Sequence, residues 1–170
     1  MASKRNRKAK TVSHVSNVGP PVDEWARSDC WRTPRDIANA LGAFDLDPCG
    51  GPGSHIHAFQ HYWWERREDG LRLPWAGSVF INPPYSNVLP WARRAAAHDE
   101  PVTLLLKFDS TTEWFAVLVR AGARFYPFRR RVAFERPDKV LETANFPSLL
   151  VTLRQTVMED MEDFVWKLSC

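Results

Sequence analysis

The run "PVTLLLKF" (101–108) is apolar almost without a break. A strand of that kind is covered on both faces, which is the habit of parallel sheets flanked by helices. Its surroundings fit. "STTEWFAVLVRAG" (110–122) reads as a helix with a capping box, Ser110 to Glu113, and a glycine stop. "TPRDIANALG" (33–42) carries helix signals at both ends: Thr33 as the cap, Pro34 at the first helical position, Asp36 in the first turn and Gly42 at the stop. "AFDLD" (43–47), Ser78–Ile81, 123–128, 131–134 and 148–154 read as strands, and Pro90–His98 as a helix. "HIHAFQHYWWERRE" (55–68) is ambiguous and partly helical in pattern, and 156–170 carries no clear period. Strand and helix alternate through the middle of the chain, which predicts an α/β fold with a mainly parallel central sheet and helices on both faces.

Two loops stand out. "PCGGPGS" (48–54) is too rich in turn residues for regular structure. "FINPPYSNVLPW" (80–91) sets two prolines after a short apolar strand. Pro83 and Pro84 cannot donate to a sheet ladder, and Asn82 is pushed towards an extended conformation by the proline after it. The result is a stiff corner holding an amide and the ring of Tyr85 in a fixed relation. An isolated Pro-Pro can be a plain strand terminator; the full Asn-Pro-Pro-Tyr quartet is more specific. Both loops follow predicted strands, so they should share the carboxyl edge of the sheet, where ligands bind in such folds.

A chain of 170 residues with 44% hydrophobic content suits one compact domain. Eight tryptophans predict large buried walls. The formal charge is +3, but Lys4, Arg5, Arg7, Lys8 and Lys10 lie in the first ten residues. Without those five, 18 basic face 20 acidic residues, a net of −2. The body is therefore no general polyanion binder, and nucleic-acid contact must use a local patch. Residues 1–22 read as a basic arm able to add phosphate affinity, or as a plain solvated terminus; residues 23–170 form the domain. Cys30, Cys49 and Cys170 are odd in number and lack metal-ligand spacing. No apolar run is long enough to span a membrane. A soluble, cytoplasmic protein is the expectation.

In order along the chain, "DEWARSDCWRTP", "FDLDPCG", "EDGLRLPWAGSVFINPPYSNVLPWARRAA", "STTEWF", "RRRVAF" and "NFPSLLV" resemble elements of the phage-type DNA N6-adenine methyltransferase (Dam) family, over roughly residues 23–153. "DPCGGPGS" departs from the family loop and resembles the glycine-rich loop of other DNA methyltransferases, which leaves the target sequence open. The resemblance implies a Rossmann-like class I methyltransferase fold that transfers a methyl group from S-adenosylmethionine to the N6 amine of an adenine flipped out of double-stranded DNA.

The resemblance also implies roles. Asn82 and Pro83 offer acceptors to the target amine, Pro84 stiffens the corner, and Tyr85 stacks on the base, worth roughly 1–3 kcal/mol; core packing is the competing reading for its ring. Asp47, Pro48, Cys49, Gly50, Gly51 and Gly53 hold the methionine part of the cofactor, Thr33 and Pro34 close over it, Asn82 borders it, and Asp69 contacts the adenosine. A helix start explains Thr33 and Pro34 nearly as well, and a surface turn explains Asp69. Lys4, Arg5, Arg7, Lys8, Arg129, Arg130 and Arg131 are candidates for DNA phosphates, against a solvated charge run. His55, His57 and His61 beside Cys49 fit no strong zinc pattern, and methyl transfer needs no metal. The rivals are the same fold acting on cytosine N4, RNA or a protein glutamine, and a non-catalytic DNA-binding protein that retains the fold.

Overall fold

The computed structural model describes residues 31–51, 53–63, 66–136, 140–157 and 159–167. The basic arm, Cys30 and Cys170 lie outside them. Among the described residues no helix is long and apolar enough to cross a membrane.

The elements run α1 (Arg35–Leu41), β1 (Ala43–Asp47), β2 (His57–His61), β3 (Val79–Ile81), α2 (Leu89–Ala97), β4 (Val102–Lys107), α3 (Glu113–Arg120), β5 (Arg124–Pro127), β6 (Ala133–Glu135), β7 (Leu141–Thr143), β8 (Ser148–Leu153) and a 3-10 turn at Glu159–Met161. Six strands form one sheet in the order β2-β1-β3-β4-β8-β5; β6 and β7 pair as a separate two-stranded ribbon. The pairings β1–β2, β1–β3 and β3–β4 are parallel, whereas β8 runs antiparallel to both β4 and β5. The sheet is thus mostly parallel, and β5 points the same way as β4.

Each face has its own core. Val79, Ile81, Leu104, Leu106 and Val151 meet Trp91 and Ala95 of α2 and Trp114 and Leu118 of α3. Phe80, Leu105 and Leu150, alternate residues on the same strands, meet Ile37, Ala38 and Leu41 of α1 together with Phe134 and Met161. The period of two explains how one apolar run serves both cores. On β1, Phe44 and Leu46 share parity yet enter opposite cores. The cause is a local bulge: the amides of Asp45 and Leu46 both donate to Ser78 O, at 2.9 and 3.0 Å. It turns Asp47 towards the α1 face.

Several local expectations need correction. Thr33 does not cap α1: Pro34 is the residue before the helix, Arg35 begins it, and no side chain caps it. Pro34 fixes the entry with φ −56°, and the Thr33 hydroxyl faces Asn82 instead. Gly42, at φ +76°, does end the helix. Ser110 does not form a capping box either; Thr112 precedes α3, and the turn before it is held by Asp109 Oδ1, which accepts from the Thr111 amide at 3.0 Å and its hydroxyl at 2.7 Å. The ambiguous 55–68 segment holds a strand, β2, with Phe59 95% exposed. Such an edge strand, paired only with β1, shows little apolar period.

Candidate active site

The strand order reverses at β1: the chain passes from β1 outward to β2, then returns past β1 to β3 and β4. A crevice opens at the carboxyl ends where neighbouring strands send their connections in opposite directions. Here those ends are Asp47 on β1 and Ile81 on β3, paired strands in register at Leu46 and Val79. The two loops singled out by composition therefore face each other across the switch point.

Asp47 is buried, and its carboxylate knits the first loop. Oδ1 accepts from the Cys49 amide at 3.2 Å. Oδ2 accepts from the Ser54 hydroxyl at 3.3 Å and meets His61 Nδ1 at 3.3 Å. Gly50 sits inside this knot, where a Cβ would lie 2.8 Å from His61 Nδ1. Gly51 is different: a Cβ there would meet nothing within 4 Å, so its backbone borders open space. Gly53 has φ +78° and lies under the Arg32 guanidinium. Burial, then the Asp47 carboxylate, push the Cys49 thiol up, so it stays a neutral thiol.

The turn at Asp69 backs onto this loop. Asp69 Oδ1 accepts from the Leu71 amide at 2.9 Å, and Oδ2 meets Arg72 at 3.3 Å. Gly70 is pressed on the Pro48 carbonyl, 1.9 Å from where a Cβ would stand. Asp69 is thus a turn-former held beside the loop.

Across the crevice, Asn82 Nδ2 donates to the Trp31 carbonyl at 2.8 Å and approaches Thr33 Oγ1 at 3.5 Å. Trp31 O can only accept, so the amide nitrogen must face it and Oδ1 must face away. That oxygen takes no hydrogen bond among the described residues. The Pro83 carbonyl takes no backbone hydrogen bond there, and Pro84 O accepts from the Asn87 amide at 3.0 Å, closing the corner. The Tyr85 ring packs edge-on with Phe134 and Phe146, centroids 6.1 and 5.5 Å away. Its hydroxyl is buried without a partner among the described residues, and burial pushes the phenol up, keeping it a neutral donor.

The segment that carries Asn82's partner is itself strapped down, one residue further on. Arg32 and Glu135 exchange backbone hydrogen bonds of 2.8 and 3.1 Å, and their side chains pair at 3.2 Å. His55 Nε2 meets the other Glu135 oxygen at 2.9 Å, holding that carboxyl below its usual range. A cleft of about 420 Å³, lined in part by Arg32, Arg35, His55 and Glu135, opens alongside. The three histidines separate: His55 to Glu135, His61 to Asp47, and His57 to Asn39 at 3.2 Å. Arg129–Arg131 follow β5 and so lie at the same edge of the sheet; all three are exposed, and Arg129 also donates to Val165 O at 3.2 Å and lies over Trp166. Lys4, Arg5, Arg7 and Lys8 are outside the described residues.

Thr33 is brought against Asn82 of the quartet, and Asp47 ends the strand paired with the one that leads into it. Reading the residues alone missed the Trp31 carbonyl, Ser54, Gly70 and the rings Phe134 and Phe146. Only position in three dimensions marks most of these; Phe146, beside Pro147 in "NFPSLLV", carried some signal.

Fold and site define an α/β protein with a proline-stiffened amide at the topological switch point of its sheet. The chain belongs to the DNA N-6-adenine-methyltransferase (Dam) family, whose model matches residues 23–164. It is 33% identical over 136 residues to the DNA N-6-adenine-methyltransferase of Haemophilus phage HP1 (strain HP1c1), covering 72% of this chain and 77% of that one. It is 27% identical over 96 residues to the DNA N-6-adenine-methyltransferase of Escherichia phage T1, covering 51% of this chain and 39% of that one. The chain is an enzyme of DNA adenine-N6 methylation, and it requires a methyl donor and DNA.

Proposed function

We propose that the enzyme is a Rossmann-like class I methyltransferase that takes its methyl group from S-adenosylmethionine and gives it to an adenine flipped out of duplex DNA. The observation that carries this reading is the orientation of Asn82: its nitrogen is engaged by Trp31 O, and its oxygen, which takes no hydrogen bond among the described residues, faces away from that carbonyl at the carboxyl end of β3. The open space beside Gly51 leaves room for a cofactor to approach the backbone. Asp47, Pro48, Cys49, Gly50, Gly51 and Gly53 would hold it, with Thr33, Pro34 and Asp69 at its margins. When bound, the cofactor supplies an electrophilic methyl group on a sulfonium sulfur.

The adenine amine is a weak nucleophile, because its lone pair is delocalised into the ring. Asn82 Oδ1 and the Pro83 carbonyl accept its two N–H bonds, which favours rehybridisation and stabilises the positive charge that develops on nitrogen. The prolines fix both acceptors before substrate arrives, so little reorganisation is needed at the moment of transfer. Alignment of the amine with the methyl group supplies much of the rate, and no strong base is required. Flipping delivers the base to the pocket, where Tyr85 forms a wall. Arg130 and Arg131 face solvent at the same edge and suit phosphate contacts.

The test is nucleoside analysis of plasmid DNA after incubation with S-adenosylmethionine. N6-methyladenine is expected with the wild type; N4-methylcytosine in its place would overturn the choice of base. Asn82→Ala should keep its cofactor affinity and lose about 100-fold in single-turnover rate. A near-wild-type rate in a folded variant would remove Asn82 from the chemistry.

A further inference from the structure

The carboxyl rim of the sheet continues beyond Asn82. β4 neighbours β3 and ends at Lys107; β8 neighbours β4 and begins at Ser148, directly opposite Lys107 in register. Strand alternation sends residues 105 and 150 into the α1-side core, so Lys107 and Ser148, two residues away from each, point to that same face. Asn82 lies on it too, through its bond to the segment leading into α1. Three neighbouring strands, spaced about 4.8 Å apart, therefore set an amide, an ammonium and a hydroxyl along one rim.

The Lys107 side chain is exposed, and its Nζ stands 5.5 Å from the centre of the Phe146 ring. It forms no ion pair among the described residues; its electrostatic neighbour is Asp109, whose carboxylate is engaged by Thr111. Phe146 in turn touches Tyr85 of the quartet. Among the described residues two buried side-chain polar atoms lack a hydrogen-bond partner, Tyr85 Oη and Ser148 Oγ. One belongs to the ring against Phe146, and the other lies two residues beyond it on the chain. Unsatisfied buried hydroxyls are uncommon and signal a missing partner.

We infer that Lys107 and Phe146 form a nucleotide subsite next to the transfer site, in which Lys107 holds the phosphate flanking the flipped adenosine and Phe146 walls the base pocket opposite Asn82. The inference rests on the reading that a flipped adenine is the substrate. A cation over an aromatic ring is held on a short leash, so its charge sits close to where the base enters. Polar atoms of the captured nucleotide, or water carried with it, would satisfy the two hydroxyls. Lys107 is here a positioning residue: it acts on DNA capture, and no reacting atom is assigned to it.

The test compares wild type, Lys107→Met and Lys107→Arg, all in the full chain. Met keeps most of the stem and removes the charge. Duplex DNA affinity is measured by fluorescence anisotropy over a salt series, alongside S-adenosylmethionine titration and steady-state methylation of plasmid DNA. Lys107→Met should bind DNA about tenfold more weakly at low salt, and the slope of log K against log salt should fall by about one. The rise should appear in the DNA KM, with kcat at saturating DNA and cofactor affinity close to wild type. Lys107→Arg should restore affinity and slope. Wild-type DNA affinity and salt slope in Lys107→Met would overturn the inference, as would a loss confined to kcat. Absence of N6-methyladenine with the wild-type enzyme would instead overturn the reading of the reaction, so the two failures are told apart.

Discussion

Gly70 and Gly51 bear on the same loop in opposite ways. At Gly70 a Cβ would stand 1.9 Å from the Pro48 carbonyl oxygen, a backbone atom that cannot step aside alone. Gly70→Ala should therefore push the Asp69 turn off the 48–54 loop proposed to hold the cofactor. The expected cost is about 1–3 kcal/mol, the range for overpacking a filled site, together with weaker S-adenosylmethionine binding. At Gly51 a Cβ enters open space. Gly51→Ala should melt like the wild type yet bind the cofactor more weakly, because its methyl group would fill the gap that a cofactor needs. Thermal melts and calorimetric titration of the two variants give the check. Normal cofactor affinity in Gly51→Ala would move the cofactor away from that backbone. The resemblance already put Gly51 with the cofactor, but the packing of Gly70 is not legible in "EDGL", where it reads as a turn residue, and only the loop-on-loop contact separates a packed glycine from an open one.

Elements were legible where burial was one-signed. β3, β4 and β8 are buried along nearly their whole length, and their apolar runs mark them plainly. β7 ("LET") is exposed throughout and exists because β6 pairs with it, so nothing local announces it. Both expected caps failed for a shared reason. Thr33 and Ser110 have the right chemistry at nearly the right place, but tertiary partners and a neighbouring Asp turn decide where the backbone enters each helix. The strap between residues 31–33 and β6 was equally invisible, since Arg32 and Glu135 are 103 residues apart. It has a testable pH signature. The hydrogen bond from His55, then that from Arg32, hold the Glu135 carboxyl below its usual value. A depressed carboxylate contributes stability above its ordinary value and loses it as pH falls through the folded-state value. Glu135→Gln should lower the melting temperature by about 1–3 °C near neutrality, a small effect because the pair is partly solvated. The gap from wild type should close on acidification below the usual carboxylate range. A gap that persists unchanged in acid would mean that shape, and not the charge, holds the strap.

For the whole molecule, alternation of strand and helix predicted the mostly parallel sheet, and the position of two loops after two strands predicted one shared edge. The antiparallel turn-back of β8 between β4 and β5 was not readable, because pairing partners and direction are properties of the assembled sheet. Charge is the other molecular-scale property. The net positive charge of the chain comes from its first ten residues, while Arg130, Arg131 and Lys107 supply exposed cations along the carboxyl edge of the sheet. These two groups should act differently on DNA. In the proposed complex, cations at the carboxyl edge would act on a nucleotide held in a fixed place. The five charges of the arm have no assigned partner in the site, and phosphate contacts carry no sequence information in themselves. Deleting residues 1–12 should therefore weaken duplex binding for every sequence alike and lower the salt slope by up to about five units if each charge meets a phosphate. Cofactor affinity and the methylated sequence should stay as they are. The measurements are anisotropy across a salt series and mapping of N6-methyladenine in plasmid DNA treated with each protein. A changed methylation motif would show that the arm reads bases; an unchanged salt slope would show that its charges never reach the backbone. Combined with Lys107→Met the deletion should be additive in log K, because residues that meet separate phosphates release separate counterions.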